Sequence, residues 1–463
     1  MVGPLSWSQC EISWRGSPAR LPVRSLFRQP PSLIVAKRDT DIGKLVVLMI
    51  TAFIDMVGTL MIIPLLPFYA KNFGANGLVV GLLVSSFSVA QLLSAPMWGR
   101  FSDRYGRRPA LIVGMSASAI AYVIFAYSNS LWLLFLSRIV QGSGGGTVSV
   151  IQAYVADAVE PNQRAKALGW LSAATNAGVA LGPVIGSRFV ALGPHAPGLA
   201  AAGLCVLNSI FAFRYLVESR DMVEARSSVH RPGRSRDAVL RVITRSSEAP
   251  SRLIWIYAIG IGAFQGLNAI LALFLAARFG VTSNTIGYFY TYIGVISVVT
   301  RAGILGWAVD RFGEARLSRV GQLLLATGLA TMPFIHPMQD PAAFAARIGG
   351  FLPVSAVSLL PYLPLALAVA LLPLGTAFTF PCVTALLSRV IPSGDRGLYM
   401  GVQQTFGGTA RVVFPILAGF AFDRMQEAPF LISAALVAGT IFLGLGMEEM
   451  TRPKHEPEPA TAA

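Results

Sequence analysis

The sequence predicts an all-α integral membrane protein with twelve transmembrane helices in two six-helix, pseudo-symmetric bundles. Of its 463 residues, 54% are hydrophobic and 13% are charged, and the mean hydropathy is +0.62, so most of the chain must lie in lipid. From Leu45 onward, apolar runs recur that are long enough to cross a hydrocarbon core of about 30 Å. A charged loop motif occurs once in each half of the chain, which indicates an internal duplication.

The apolar runs divide the chain into predicted spans and connecting segments. We expect helices at 45–69, 78–98, 110–127, 131–155, 167–190, 199–217, 253–277, 285–305, 317–335, 359–387, 398–422 and 429–447. The first six helices form an N-terminal bundle at 45–217, and the last six form a C-terminal bundle at 253–447. The stretch 218–252, rich in arginine, serine and proline, is expected to be a flexible cytoplasmic linker, and 448–463 a cytoplasmic tail.

Basic residues set the expected topology. The net charge of +15 comes largely from arginines in alternate loops, in the linker and in residues 1–44. Because cytoplasmic loops carry excess lysine and arginine, we expect both termini in the cytoplasm and the chain in a plasma membrane, the inner membrane in a bacterium. Residues 1–44 lack the apolar core of a secretory signal and are expected to be a disordered tail; a transit peptide or an over-extended translation start are the alternatives.

The repeated loop motif combines an acid, arginines and glycines between two apolar runs. Its members are Gly99, Asp103, Arg104, Gly106, Arg107 and Arg108 in the first copy, and Asp310 and Arg311 in the second, 207 positions later (310 − 103). An acid and a breakable ion pair beside a helix end can act as a two-state latch. Positive charge on the cytoplasmic side would explain the arginines alone, but not Asp103 or the glycines.

The chain resembles the major facilitator superfamily, specifically the twelve-helix drug:proton antiporters that include tetracycline efflux pumps. The resemblance covers residues 45–447 and rests on four patterns: the loop motif, Leu134-x3-Arg138-x2-Gln141-Gly142-x-Gly144, a glycine series in the fifth span, and Asp55-x2-Gly58 with Pro64 and Pro67. It implies two bundles that rock about a central cavity, and an Asp103 that bridges to the C-terminal bundle and steadies the outward-facing form. Tetracycline pumps generally carry a further acid in the third span, which 110–127 lacks.

The fifth span carries a pattern similar to the motif associated with antiporters. Its members are Gly169, Gly178, Gly182, Pro183 and Gly186, spaced Gly-x8-Gly-x3-Gly-Pro-x2-Gly. The last three glycines share one helix face and favour close approach of another helix, and the proline weakens a backbone hydrogen bond. Ordinary small-residue packing is the alternative interpretation.

Asp55 is the predicted proton-coupling residue, with Arg138 as its partner. Asp55 lies about ten residues into its span, roughly 15 Å from the cytoplasmic end. A carboxylate in lipid costs on the order of 3 kcal/mol, and such residues usually mark ion pathways or paired charges. The alternative is a structural ion pair between spans one and four.

Polar and aromatic side chains in several spans are candidate substrate contacts. They are Gln141, Asn176, Gln265, Asn268, Tyr292, Phe378 and Gln404. An apolar and aromatic cavity with a few amides suits bulky amphipathic drugs, although each residue could instead make interhelical contacts. Arg301 and Arg411 also lie in predicted spans; Arg411 is a plausible contact for an anionic group, and neither has an assigned role.

The sequence argues against nucleotide, metal and enzymatic chemistry. The glycine-rich stretch 142–147 lacks Gly-Lys-Ser/Thr, and no His-Glu-x-x-His or Cys-x-x-Cys spacing occurs, so no cofactor or metal is expected. We therefore predict a proton-coupled efflux antiporter for amphipathic drugs, tetracycline-like or multidrug. The alternatives are an uptake symporter of the same fold for a sugar or other metabolite, and a non-transporting scaffold or membrane enzyme. The expected partners are a small-molecule substrate, protons and the bilayer, with no nucleic acid and a monomeric state.

Overall fold

The computed structural model describes residues 31–159, 163–216, 218, 234–336, 362–392 and 394–446, and these residues form helices joined by short turns. The chain forms two compact units, residues 1–43 and residues 44–463. In the first unit the described part is the helical stretch 31–43. The cavities and the contacts between helices described below lie in the second unit.

Sixteen α-helices occur among the described residues. They are α1 (Pro31–Ile62), α2 (Leu66–Asn72), α3 (Gly77–Tyr105), α4 (Arg107–Ala126), α5 (Leu131–Gly144), α6 (Thr147–Ala158), α7 (Arg164–Val190), α8 (Ala196–Tyr215), α9 (Arg234–Thr244), α10 (Ala249–Phe279), α11 (Ile286–Val299), α12 (Leu305–Phe312), α13 (Glu314–Thr331), α14 (Leu363–Val390), α15 (Arg396–Arg424) and α16 (Ala428–Leu443). A π-helical turn, Thr300–Ile304, joins α11 to α12, and a 3₁₀ turn, Met332–Phe334, follows α13.

Nine helical segments in the described part of the chain are long and apolar enough to cross a membrane. They are Leu45–Asn72, Gly77–Tyr105, Arg107–Ala126, Lys166–Val190, Ala196–Tyr215, Ala249–Phe279, Ile286–Phe312, Leu363–Val390 and Arg396–Arg424. The other three predicted spans also contain helices, namely the divided pair α5 and α6, α13, and α16. The predicted all-α membrane fold is therefore confirmed, and each of the twelve predicted intervals holds a helix.

Two helix boundaries differ from the prediction. The first helix begins at Pro31 rather than Leu45, so the predicted disordered tail is helical from residue 31, while residues 1–30 lie outside the described part. The fourth span is interrupted at Gly145 and Gly146, because consecutive glycines have low helix propensity. The interruption gives the fourth span a second helix N-terminus in its interior.

The predicted flexible linker contains an amphipathic helix, α9. Ala238 and Val242 are buried in a cluster with the start of α10, whereas Arg241 is exposed and pairs with Glu248 at 3.0 Å. Hydrogen bonds from Arg241 and then Arg245 hold the pKa of Glu248 below its usual value. The prediction of a flexible tether is therefore wrong for residues 234–244, and residues 219–233 lie outside the described part.

Gly106 and Gly313 have the same backbone geometry in the two halves of the chain. Each is the single residue between two helices, Gly106 between α3 and α4 and Gly313 between α12 and α13. Their φ angles are +103° and +76°, and their ψ angles 161° and 156°, a region that favours glycine. Similar one-residue corners 207 positions apart (313 − 106) support an internal duplication. We call the membrane face of these two corners the loop-motif face, and the other the opposite face.

Helix α3 packs on α15 near the opposite face and joins the two halves there. A Cβ atom on Gly77 would lie 2.7 Å from the carbonyl oxygen of Gly419, and one on Gly81 would overlap the carbonyl oxygen of Pro415. Ser85 Oγ donates a hydrogen bond to the Val412 carbonyl at 2.6 Å. Glycines therefore allow the two backbones to touch.

Helices α7 and α11 form a second contact between the halves, also near the opposite face. A Cβ on Gly287 would overlap the Pro183 carbonyl, and one on Gly294 would lie 2.7 Å from the Cα of Ala180. The backbone N–H of Gly287 donates to Ser187 Oγ at 2.9 Å. By contrast, a Cβ on Gly99 or Gly401, nearer the loop-motif face, would meet nothing within 4 Å.

Candidate functional site: two adjacent cavities between the halves

Asp55 is a buried carboxylate at mid-length of the first span. It is 5% exposed, and its Oδ2 accepts a hydrogen bond from Thr147 Oγ1 at 3.1 Å. Because Thr147 is the first residue of α6, the carboxylate lies near a helix N-terminus, which stabilises negative charge. The interruption of the fourth span at its glycines thus supplies the partner of Asp55.

Asp55 lines a cavity of about 560 Å³ that residues of both halves share. Its polar lining comes from Gln152, Ser172 and Thr175 in the first half and Thr384 in the second. The cavity is bordered by α6, the first half of α7 and the ends of α14 and α15 that lie towards the loop-motif face. A buried acid therefore faces a partly polar cavity between the halves, rather than lipid.

Arg138 is buried in α5, but it does not pair with Asp55. Its Nε donates to Ser137 Oγ at 3.4 Å, its guanidinium lies 5.8 Å from the centre of the Phe125 ring, and its Nη2 has no hydrogen-bond partner among the described residues. Arg138 precedes Thr147 by nine positions, roughly 13 Å along a helix axis. The predicted ion pair is therefore wrong for this conformation, because the two charges lie at different depths.

A second cavity, which we call the central cavity, has a volume of about 590 Å³ and lies between the halves. Its amide lining comprises Gln91, Gln141, Asn176, Gln265 and Asn268, and its basic lining comprises Arg138, Arg301 and Arg411. Phe264, Ile293 and Phe380 contribute apolar surface. Met56 lines both this cavity and that of Asp55, so the two spaces are adjacent.

Several lining amides are fixed by hydrogen bonds. Gln141 Nε2 donates to the Tyr122 hydroxyl at 2.6 Å, and Asn268 Nδ2 donates to Gln265 Oε1 at 3.2 Å. The Tyr122 hydroxyl in turn donates to Thr59 Oγ1 at 3.1 Å. Gln141 Oε1 has no partner among the described residues and remains as an acceptor towards a ligand.

Four of the seven predicted substrate contacts line the central cavity, and three do not. The four are Gln141, Asn176, Gln265 and Asn268. Of the others, Tyr292 donates its hydroxyl to the Ala366 carbonyl at 3.1 Å, Phe378 is packed in a buried cluster with Cys382, and Gln404 is exposed. These three assignments to the cavity are wrong.

Helical phase explains the errors. In α11 and the π turn, the cavity face carries Tyr290, Ile293, Ser297 and Arg301, at intervals of three or four residues. A residue two positions from Tyr290 points to another side of the helix. In α14, Phe380 lines the cavity and Phe378, two positions earlier, does not. Gln404 lies about 10 Å nearer the loop-motif face than Arg411 on α15.

The loop motif makes ion pairs and hydrogen bonds within its own half of the chain in this conformation. Asp103 Oδ1 lies 3.1 Å from Arg107 Nη1. The backbone N–H groups of Arg107 and Arg108 donate to the carboxylate of Glu218 at 2.9 and 3.1 Å, so Glu218 caps α4. A Cβ on Gly106 would overlap that carboxylate. Sequence reasoning missed Glu218, although an acid directly after the sixth span was a signal for such a cap.

The other charged residues of the motif make local contacts or are exposed. The guanidinium of Arg108 donates to the Phe213 carbonyl, and that of Arg104 lies 5.5 Å from the Tyr105 ring centre. In the second copy, Asp310 and Arg311 are exposed. An ion pair beside them joins Glu314 to Arg389 at 2.6 Å.

The glycine series of the fifth span packs α7 against α1. Cβ atoms on Gly178 and Gly182 would lie 2.6 and 2.8 Å from carbonyl oxygens of α1, and one on Gly186 would overlap the Met61 carbonyl. Gly169, by contrast, has nothing within 4 Å of its Cβ position. Since Pro183 and Ser187 contact α11, this one helix touches both its own half and the other half.

A helical membrane fold with cavities between two similar halves is typical of a multi-pass membrane transporter, and the family of this chain shows that it is a transporter rather than an enzyme. The chain belongs to the Major Facilitator Superfamily, whose family model matches residues 48–360. It is 27% identical over 414 residues to Multidrug resistance protein 2 of Bacillus subtilis (strain 168), covering 88% of this chain and 95% of that protein. It is 30% identical over 301 residues to the class C tetracycline resistance protein of Escherichia coli, covering 63% and 73%.

A solved structure shows the same fold. The crystal structure of the human organic anion transporter MFSD10 (TETRAN) superimposes with a TM-score of 0.57 at 23% identity, covering 90% of this chain and 100% of that chain. At this level of identity, the likeness concerns the fold alone.

Proposed function

We propose that this chain is a proton-coupled efflux antiporter that exports amphipathic small molecules, drugs among them, by alternating access between two six-helix bundles. The multidrug and tetracycline resistance proteins among its relatives favour drug export. The observation that carries proton coupling is Asp55, a 5% exposed carboxylate in a span, whose hydrogen-bond partner is the neutral hydroxyl of Thr147. An intramembrane acid of this kind is suited to carry a proton.

The proposed orientation places the loop-motif face in the cytoplasm. Its arginines, with those of the linker, then lie on the cytoplasmic side, as do both termini, and the chain acts as a monomer in a bacterial inner membrane. Contacts of α3 with α15 and of α7 with α11 close the opposite face. The conformation is then inward-facing, and Asp55 is reached from the cytoplasm.

Asp55 and Arg138 are the proposed proton-coupling residues, acting from adjacent cavities. Asp55 takes a proton when the halves open outward and releases it in the present conformation, where Thr147 and the α6 N-terminus stabilise the carboxylate. Arg138 couples this change to the cargo in the central cavity, which shares Met56 with the cavity of Asp55. The amides and aromatic rings of the central cavity bind the cargo.

The loop motif and the glycine series are the proposed conformational elements. In the outward-facing form, Asp103 exchanges its contact with Arg107 for one with the C-terminal bundle, and the second copy at Asp310 makes the weaker counterpart. Gly178, Gly182 and Gly186 keep α7 close to α1, so that α7 and α1 move as one body while α11 moves past Pro183.

Drug susceptibility of a pump-deficient Escherichia coli strain tests this function. Expression of the chain should raise the inhibitory concentration of at least one drug in a panel of norfloxacin, fusidate, ethidium and tetracycline. Asp55→Asn should abolish the protection, and Asp237→Asn, an exposed acid of α9, should retain it. An uptake symporter would raise drug accumulation instead, and protection that survives Asp55→Asn would contradict the proton site.

A further inference from the structure

The central cavity carries an unbalanced positive charge. Arg138 enters it from α5, Arg301 from the π-helical turn and Arg411 from α15. No described residue that lines this cavity is acidic, and Asp55 lines the neighbouring one. Because arginine stays protonated in proteins, the cavity presents three cations and no counter-charge.

Two of the three guanidinium groups keep unused donors. Arg138 is 2% exposed and its Nη2 is unpartnered, and the buried Nε of Arg301 is also without a partner among the described residues. A buried donor on a charged group is costly unless a partner satisfies it. Arg301 and Arg411 lie near the middle of spans, where such residues mark a binding site or pathway by default. These donors therefore point to an anionic ligand.

The shape and the rest of the lining specify the kind of anion. About 590 Å³ is a volume suited to a drug-sized molecule, and Phe264, Ile293 and Phe380 offer apolar and aromatic surface. A chloride or phosphate ion would leave this surface unused. A guanidinium fork matches a carboxylate or sulfonate with two parallel hydrogen bonds.

We propose that the central cavity binds an organic anion, with its carboxylate or sulfonate on Arg138, Arg301 and Arg411 and its apolar body on the aromatic lining. This substrate class rests on the export function proposed above. The π turn serves it because such turns commonly place side chains at functional sites. One-for-one exchange of a monoanion out for a proton in carries two positive charges inward, so the membrane potential adds to the driving force.

Matched dyes test the charge preference of the purified full-length protein. Fluorescein is an anion, and pyronin Y is a cation on the same three-ring xanthene skeleton. In an uncharged detergent at neutral pH, fluorescence anisotropy should show fluorescein binding at least tenfold more tightly than pyronin Y. Arg411→Gln and Arg301→Gln should each weaken fluorescein binding about tenfold without weakening pyronin Y, and Arg411→Lys should restore part of the loss.

Arg214→Gln is the matched control, since it removes the same charge from an exposed position at the end of α8. It should leave both dyes unaffected, and thermal unfolding should show that all variants are folded. Equal or tighter binding of pyronin Y, no binding of fluorescein, or fluorescein binding that survives both arginine variants would overturn the proposal. Arginine-dependent fluorescein binding without proton-driven export would uphold the site and reject the export function. Asp55-dependent export that is limited to cations would support the export function and contradict the proposal that the cavity binds an organic anion.

Discussion

The carboxylate of Asp423 accepts the backbone N–H of Gly77 at 2.6 Å and that of Leu78 at 2.8 Å. Asp423 lies at the end of α15, whereas Gly77 begins α3, so the acid caps a helix that belongs to the other half of the chain. The side chain of Asn76 caps the same helix locally, accepting from Val79 N–H at 3.0 Å. The contact between Asp423 and the N-terminus of α3 thereby joins the two halves and helps to hold the opposite face closed.

Asp423→Ala should shift the conformational balance towards opening at the opposite face. Loss of a capping carboxylate costs about 0.5–2 kcal/mol, or about 2- to 30-fold in an equilibrium constant. Spin labels at Asn72 and Gln426, both exposed beside this contact, should report a larger population of long distances by pulsed electron resonance.

Glu427→Ala provides the control for Asp423→Ala. Glu427 is also acidic and lies on the same face, but its ion pair with Arg278, 3.2 Å, stays within the second half of the chain. It should leave the distance distribution unchanged. A distribution that is the same for Asp423→Ala and for the unsubstituted chain would show that the cap does not hold the face closed.

Gly81→Ala should block closure of the opposite face. The added methyl group would overlap the Pro415 carbonyl, although alanine favours the helix itself by about 1 kcal/mol. Export should therefore fall at least tenfold while the thermal stability of the protein is retained. Gly203→Ala, whose Cβ would meet nothing within 4 Å, should export normally. Full export by Gly81→Ala would mean that the halves need not approach as closely as they do here.

Asp103→Asn should slow turnover without lowering the amount of protein in the membrane. Substitution removes the charge that we propose to alternate between Arg107 and the second half, and coupling energies of this kind correspond to about 5- to 150-fold. Initial export rates, normalised to surface expression, measure the effect. Asp310→Asn should have a smaller effect, since Asp103 pairs with Arg107 whereas Asp310 forms no ion pair with a described residue. Equal rates for Asp103→Asn and the unsubstituted chain would contradict the proposed role of Asp103 as a latch between the halves.

Glu248→Gln should loosen α9 at neutral pH. The pKa of Glu248 is lowered by Arg241 and Arg245, so its contribution is complete above the unfolded value of about 4.3 and is lost as the pH falls through the lower folded value. Deuterium uptake by residues 234–244 should be faster in the variant, and the difference should shrink at high salt because the pair is exposed. A rate of deuterium uptake that changes with neither the substitution nor the salt concentration would show that the burial of Ala238 and Val242 alone holds the helix in place.

Hydropathy and motif spacing predicted the membrane fold because long apolar runs and repeated glycine corners are local signals. The corner at Gly106 and its counterpart at Gly313 could be located from sequence, as could the amides of the central cavity in α5, α7 and α10. The glycines at 145 and 146 were visible too, but their consequence, an N-terminus of α6 beside Asp55, depends on how α1 packs against that break.

Features that depend on contacts between distant segments escaped prediction. Glu218 and Asp423 cap helices that begin more than a hundred residues away, 111 positions (218 − 107) and 346 positions. An acid beside a helix end is visible in the sequence, but no local pattern indicates which distant helix it caps. Asp55 and Arg138 form no ion pair because they lie at different depths in the membrane, and sequence spacing predicts the depth of a residue only to within a few positions. The predictions for Tyr292 and Phe378 failed because a shift of two residues turns a side chain to another face of its helix. The prediction for Gln404 failed because this residue lies about two turns along α15 from the cavity.

Proton movement in proteoliposomes tests the central claim most directly. With fluorescein or a drug from the susceptibility panel loaded inside, and a pH dye in the lumen, an outward substrate gradient should acidify the lumen as protons enter in exchange. Asp55→Asn should abolish this acidification while leaving substrate binding measurable. Lumen alkalinisation would indicate symport, and acidification that persists in Asp55→Asn would show that another group carries the proton.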